Sequence, residues 1–268
     1  GQTSTFSFTS TTAAVGGNPN AIYNNFTVAT VATVTLANNI YISGNFTNNN
    51  ILDATVATLI FTGTSNSIID GTASSFAIAQ ITNSKTGSGT TNLNKNISGV
   101  VDLTIESGTF STGIFTITQD LGALTIGEAG ILKIGGTNSV PTFNTYTINA
   151  LGTVDYAGGI QTINTSITYG SIAISATGSK TLAGAITALG NFSLSTGTFE
   201  GGSFTHNIAG NFTISGGTFT NTGTTINLNG TGTQNISATA ALNNLTINKA
   251  SGVASLSSSI TVSNILTL

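Results

Sequence analysis

Apolar and polar residues alternate with a period of two along nearly the whole chain, in runs too short for helices. Residues 211–268 show it most plainly. There Phe212-Thr213-Ile214, Thr225-Ile226-Asn227-Leu228, Leu245-Thr246-Ile247, Ile260-Thr261-Val262 and Ile265-Leu266-Thr267-Leu268 are separated by Gly, Asn, Ser and Thr. Alternation bounded by such residues predicts half-buried strands. The pattern continues upstream in Phe26-Thr27-Val28, Val34-Thr35-Leu36, Ile40-Tyr41-Ile42, Leu124-Thr125-Ile126 and Phe192-Ser193-Leu194. Glu, Lys, Arg and Gln are scarce while Gly and β-branched residues dominate, so no amphipathic helix is predicted.

The strand phrases recur. Thr153-Val-Asp-Tyr-Ala-Gly158 matches Thr225-Ile-Asn-Leu-Asn-Gly230, and each leads to a glutamine, Gln161 or Gln234, that opens another strand. A third copy starts at Leu59-Ile-Phe-Thr-Gly63 and closes at Ser107-Gly-Thr-Phe110, a phrase that returns as Thr196-Gly-Thr-Phe199 and Gly216-Gly-Thr-Phe219. Gly44-Asn45-Phe46-Thr47 is repeated as Gly210-Asn211-Phe212-Thr213, and nearly so as Gly190-Asn191-Phe192-Ser193. A hairpin sandwich would show two-residue turns and one set of strands rather than repeats. Stacked coils explain the pattern better, with one or two apolar residues of each strand inward and Gly, Asn or Ser at each corner. The expected fold is all-β: a right-handed parallel β-helix (β-solenoid) of about 11–13 coils, each of about 20–25 residues.

Two regions are expected. Residues 1–20 hold a strand at 3–15, with Phe6 and Phe8 on one face and Val15 at its end, followed by the turn-rich Gly16-Gly17-Asn18-Pro19-Asn20. Residues 21–268 form the solenoid.

Composition narrows the function. Charged residues make up 5% of the 268, with five Lys, no Arg, eight Asp plus Glu and a net charge of −3; ordinary domains carry about 25%. Regularly spaced Ile, Val, Leu and Phe argue against disorder, so the surface is built from Thr, Ser, Asn and Gly. Such a surface lacks the clustered cations that nucleic acid or anionic lipid requires, which excludes a nucleic-acid partner. Cys is absent, which removes disulfides, thiol catalysis and thiolate metal sites. No run of 18 apolar residues predicts a transmembrane helix. An outer-membrane barrel would want aromatic girdles and strands of about ten residues. Gly1-Gln2, with no initiator Met, fits a processed, exported chain whose signal peptide has been removed.

Asn244-Leu-Thr-Ile-Asn-Lys-Ala-Ser-Gly252, followed by Val253-Ala-Ser-Leu-Ser-Ser-Ser-Ile-Thr-Val262, resembles repeats in large surface proteins of Bacteroidota. Those in turn resemble the parallel β-helices of filamentous adhesins. The likeness covers 153–268 well and 44–110 loosely. It implies an extracellular structural or adhesive role at the cell surface and carries no catalytic residues with it.

Candidate chemistry is sparse. The carboxylates Asp53, Asp70, Asp102, Glu106, Asp120, Glu128, Asp155 and Glu200 are scattered, whereas a glycosidase on such a fold needs two or three acids clustered on one face. Asp102 and Glu106, with Lys95 nearby in sequence, are the best such grouping. His206 is the sole histidine and has no Cys beside it, so no metal or cofactor site is expected. Thr-x-Thr phrases, such as Thr33 with Thr35, raise ice binding as an alternative. They come at irregular spacing, and several span a Gly corner. Tyr23, Tyr41, Tyr146, Tyr156 and Tyr169 raise glycan binding by an adhesin segment, although they are dispersed.

A solenoid leaves unpaired backbone at its ends, a hazard that proteins normally cap. Here the pattern runs through Ile260, Val262, Ile265, Leu266 and Leu268 with no capping signal. The expected role is therefore a non-enzymatic subunit of an extracellular filament whose partners are copies of itself. Subunits would join head to tail, or the strand of Phe6, Phe8 and Val15 would add to a neighbour's edge.

Overall fold

The computed structural model describes residues 5–9, 13–15, 21–74, 76–119 and 122–268. Among them there is no helix, and parallel strands stack as a β-solenoid of about 12 turns. The chain divides into two compact units, Gly1–Leu132 with Pro141–Thr147, and Lys133–Val140 with Ile148–Leu268.

In the first unit, Thr5–Phe8 pairs in parallel with Asn25–Val28, which pairs with Phe46–Asn48, then Ser67–Asp70, then Thr90–Leu93. The pairing is residue on residue, so side chains stack in columns. Phe6, Phe26, Phe46, Ile69 and Leu93 form an inward column, while Ser7, Thr27, Thr47 and Asp70 line up on the alternate positions. Phe26, Phe46 and Ile69 are 0% exposed, and the rings of Phe26 and Phe46 stack at 6.0 Å. A second buried column runs Ile40, Leu59, Ile81, Leu103.

The N-terminal strands belong to this stack. Thr5–Phe8 and Ala13–Val15 pair with Asn25–Val28 and Thr33–Leu36 of their own chain. The solenoid therefore begins within the region expected to stand apart as 1–20, because Phe6 and Phe8 gain more from covering Phe26 than from standing free. The linker 16–20 lies outside the described residues, as does Asp120.

The second unit has three columns of its own. Val154, Ile172, Phe192, Phe212 and Ile236 are in register and no more than 1% exposed. Gln161, Lys180, Phe199 and Phe219 form another, and Tyr169, Ala188, Ile208 and Leu228 the third.

The Gly-Asn-Phe-Thr phrase now has a reason for each letter. A Cβ on Gly44 would lie 2.1 Å from the Asn24 carbonyl oxygen, and one on Gly210 2.5 Å from that of Gly190, so only glycine fits the close approach of successive coils. Each asparagine hands its side-chain oxygen to a backbone N–H of the next coil. Asn25 accepts from Asn45 at 2.8 Å, Asn45 from Ile68 at 3.0 Å, Asn191 from Asn211 at 2.8 Å and Asn211 from Asn235 at 2.8 Å. These links span 20 to 24 residues, which is the coil length. Phenylalanine then fills the interior, and the hydroxyl that follows takes the alternate position.

The longer repeat behaves differently. Thr153–Tyr156 and Thr225–Leu228 match in sequence yet lie in different sheets. What they share is the corner that follows. The Gln161 carboxamide accepts from Gly158 N at 2.9 Å and donates to the Asn138 carbonyl at 2.8 Å. Gln234 accepts from Gly230 N at 2.9 Å and donates to the carbonyls of Ile208 and Gly210 at 2.8 and 2.6 Å. Both glutamines are 1% exposed. The repeat is a corner module, free to recur on another face.

Lysines serve the same purpose. Lys85 is fully buried, and its ammonium donates to the carbonyls of Ser43, Thr62 and Ser65 at 3.1, 2.7 and 3.0 Å and to the Ser67 hydroxyl at 2.6 Å. Lys180, also buried, donates to Gly158 and Gly159 carbonyls at 3.0 and 2.7 Å. Burial pushes both ammonium groups down from the usual lysine range, and the ring of oxygens offsets that cost.

Three stability outcomes follow in denaturant titrations. Phe212→Ala should lose about 3–5 kcal/mol, as for other buried phenylalanines, while Thr213→Ala should change stability by less than about 0.5 kcal/mol. Lys85→Met, which keeps the volume but leaves several carbonyls without a donor, should lose about 3 kcal/mol or more.

Candidate functional site

Among the described residues, no three His, Cys, Asp or Glu side chains gather at one place. Asp102 and Glu106 lie on one strand, Asp102–Gly113, and each is taken up by neighbouring coils. Asp102 accepts from Ala123 N at 2.9 Å and from the Gln80 carboxamide at 3.4 Å, and Glu106 accepts from the Ser84 hydroxyl. Lys95 donates to the carbonyls of Gly71 and Ala73, with its ammonium 4.6 Å from the centre of the Phe76 ring. The tyrosines are internal struts in part. Tyr156 and Tyr169 are 0% exposed; their hydroxyls meet at 2.7 Å, and that of Tyr169 donates to the Asn164 carbonyl at 2.6 Å.

The large apolar surface lies elsewhere, on the coil of Ala254–Leu256 and Val262–Thr267. Ala254–Leu256 pairs with Gln234–Ala238, and Val262–Thr267 with Leu242–Ile247. Two interior columns reach this coil and become exposed there. Phe192, Phe212 and Ile236 are no more than 1% exposed, but the next member, Leu256, is 59% exposed. Likewise His206, Ile226 and Leu245 are no more than 2% exposed, but Leu266 is 55% exposed. Their positions are interior ones with nothing stacked on them among the described residues.

Leu256 and Leu266, with Val253, Ile260, Val262 and Leu268, wall an apolar basin of about 620 Å³ over Ile236 and Leu245. The structure thus brings together four of the five C-terminal residues expected at a stacking edge: Ile260, Val262, Leu266 and Leu268. Ile265 is 53% exposed but sits in the register of Asn244, one step out of phase with the basin-lining Leu266. Strand alternation separates neighbours in this way. Val253 and Leu256 also line the basin, in a Ser-rich phrase where Ala254-Ser255-Leu256 is the alternating run.

Phe6, from the other predicted set, is 40% exposed, while its column neighbour Phe26 is fully buried. Its ring lies 4.7 Å from that of Phe8 and 5.3 Å from that of Tyr23. Val15 is placed by its backbone beside Leu36.

His206 is locked as a neutral base. Its Nδ1 accepts from Ile186 N at 3.2 Å and its Nε2 donates to the Gly201 carbonyl at 2.8 Å. Burial holds its pKa below the ordinary value. An unfolded histidine takes up a proton near pH 6.5, so below that pH the unfolded chain binds more protons and stability falls. Thermal midpoints should therefore drop between about pH 6.5 and 5, and His206→Leu should remove the drop in that window.

No family model matches this chain, and it has no match among curated proteins or solved structures.

Proposed function

We propose that this chain is a non-enzymatic structural subunit of an extracellular bacterial surface filament that grows by stacking subunits end to end. One observation carries the reading: columns buried in coil after coil end in Leu256 and Leu266 at 59% and 55% exposure, around an apolar basin. Covering a leucine of this kind stabilises an assembly by about 1.5–3 kcal/mol, and the edge strands beside it offer a row of backbone groups for further parallel pairing.

Other features fit. The Thr-, Ser- and Asn-rich exterior and the low charge let like subunits approach without strong repulsion. The acids Asp102 and Glu106 are engaged in holding coils together rather than converging on a groove. The absence of cysteine makes the fold indifferent to an oxidising exterior.

Purified protein should form unbranched fibres in negative-stain electron microscopy, with light scattering that rises above a threshold concentration. Leu256→Asp should raise that threshold at least about 30-fold, equivalent to about 2 kcal/mol per contact. Unchanged growth by the Leu256→Asp protein would sink the reading.

A further inference from the structure

We infer that Asn229 is a latent site of spontaneous deamidation, held shut by the folded corner around Gln234 and released when that corner opens.

The sequence sets the hazard. Asn229-Gly230 is the only place in the chain where glycine follows asparagine. Glycine leaves the backbone freest to bend toward the preceding side chain and puts no Cβ beside its own nitrogen. That nitrogen attacks the Asn229 carboxamide carbon. A bond forms from Gly230 N to Asn229 Cγ, the bond from Cγ to the side-chain nitrogen breaks, and ammonia leaves with the proton of the Gly230 N–H. Water then opens the cyclic imide at either carbonyl, giving aspartate or isoaspartate. Water is consumed, ammonia is released, and nothing is oxidised or reduced.

The fold cannot remove the hazard by replacing the glycine. A Cβ on Gly230 would lie 1.9 Å from the Ala209 carbonyl oxygen of the coil beneath. The asparagine is under no such constraint, since the matching phrase carries Ala157 before Gly158. Asn229 is exposed, and its carboxamide has no hydrogen-bond partner among the described residues.

The attacking atom is what the structure ties down. Gly230 is buried, and its N–H donates to Gln234 Oε1 at 2.9 Å. Its carbonyl accepts from Lys249 Nζ at 2.6 Å, and the same ammonium donates to Gln234 Oε1 at 2.6 Å. Asn229 N–H donates to the Ile208 carbonyl at 3.2 Å. Cyclisation needs solvent to take the Gly230 proton and the backbone at 229 to rotate, and both break these bonds. The reaction therefore waits on local opening of the corner. Either product adds a negative charge, and isoaspartate also adds an atom to the backbone, so an opened and modified corner does not close in its former register.

Peptide mass mapping of the full chain, aged in mildly alkaline buffer, tests this. Folded wild type should deamidate at residue 229 at least about 100-fold more slowly than the chain unfolded in urea. Gln234→Leu, which removes the acceptor of the Gly230 N–H, should speed the reaction about 10-fold in the folded protein. Asn229→Ala, which copies position 157, should melt like wild type and abolish the mass change. Should Gln234→Leu melt early, wild type in sub-denaturing urea replaces it, and deamidation should rise in proportion to hydrogen exchange at the Gly230 amide. Folded wild type that deamidates as fast as the unfolded chain shows that the corner gives no protection. A rate indifferent to Gln234→Leu, or to Gly230 exchange in the urea series, overturns the inference. So does an unfolded chain that keeps its asparagine.

Discussion

Backbone pairing between successive coils is the interaction on which everything else in this structure depends. Strands of three or four residues do not persist alone; each is ordered by the strand beneath it and in turn orders the one above. Stability in such an array is close to a sum of nearest-neighbour terms. That is why glycine stands wherever two coils nearly touch and why asparagine oxygens reach one coil along. It also explains the buried Gln and Lys side chains at corners, since a turn that leaves the ladder leaves carbonyls behind.

Much of this was legible from the residues. Period-two alternation identified the strands, and the repeated Gly-Asn-Phe-Thr phrase marked positions whose roles proved identical in each coil. The match between 153–158 and 225–230 was real but misleading about geometry. Sequence similarity reported a shared corner, and the corner recurs on different sheets because a Gln that satisfies a turn does so wherever the turn falls. The Gly-Gly-Asn-Pro-Asn phrase after the N-terminal strand marks it as separate, yet pairing with Asn25–Val28 draws it into the stack. Lysine roles were invisible, because a carbonyl ring is assembled from residues about 20 apart or more, as Ser43, Thr62 and Ser65 are from Lys85. A charge in a nearly uncharged chain reads by default as solvated.

The candidate face was half legible. Alternation in Ile260-Thr-Val262 pointed to it, but alternation alone did not say that Leu266 rather than Ile265 faces the basin. That assignment needs the register shift between Leu242 and Asn244, a tertiary irregularity. Chemistry has little room in what remains. The one histidine is held by two backbone groups, and two of the five tyrosines are struts inside a corner.

The carbonyl-bound lysines carry a further consequence. Lys85, Lys95, Lys180 and Lys249 each bury their ammonium against backbone oxygens, the chain has no arginine, and Lys133 alone among the basic residues has an exposed side chain with no such ring. A protease of trypsin-like specificity therefore meets one fully exposed lysine side chain, itself within a strand, and two that are half-buried. Amine-reactive fixatives and labels face the same scarcity. The resistance of the folded chain to lysine-directed reagents thus comes from where its few cations sit, since the carbonyls that the coils leave unpaired hold them.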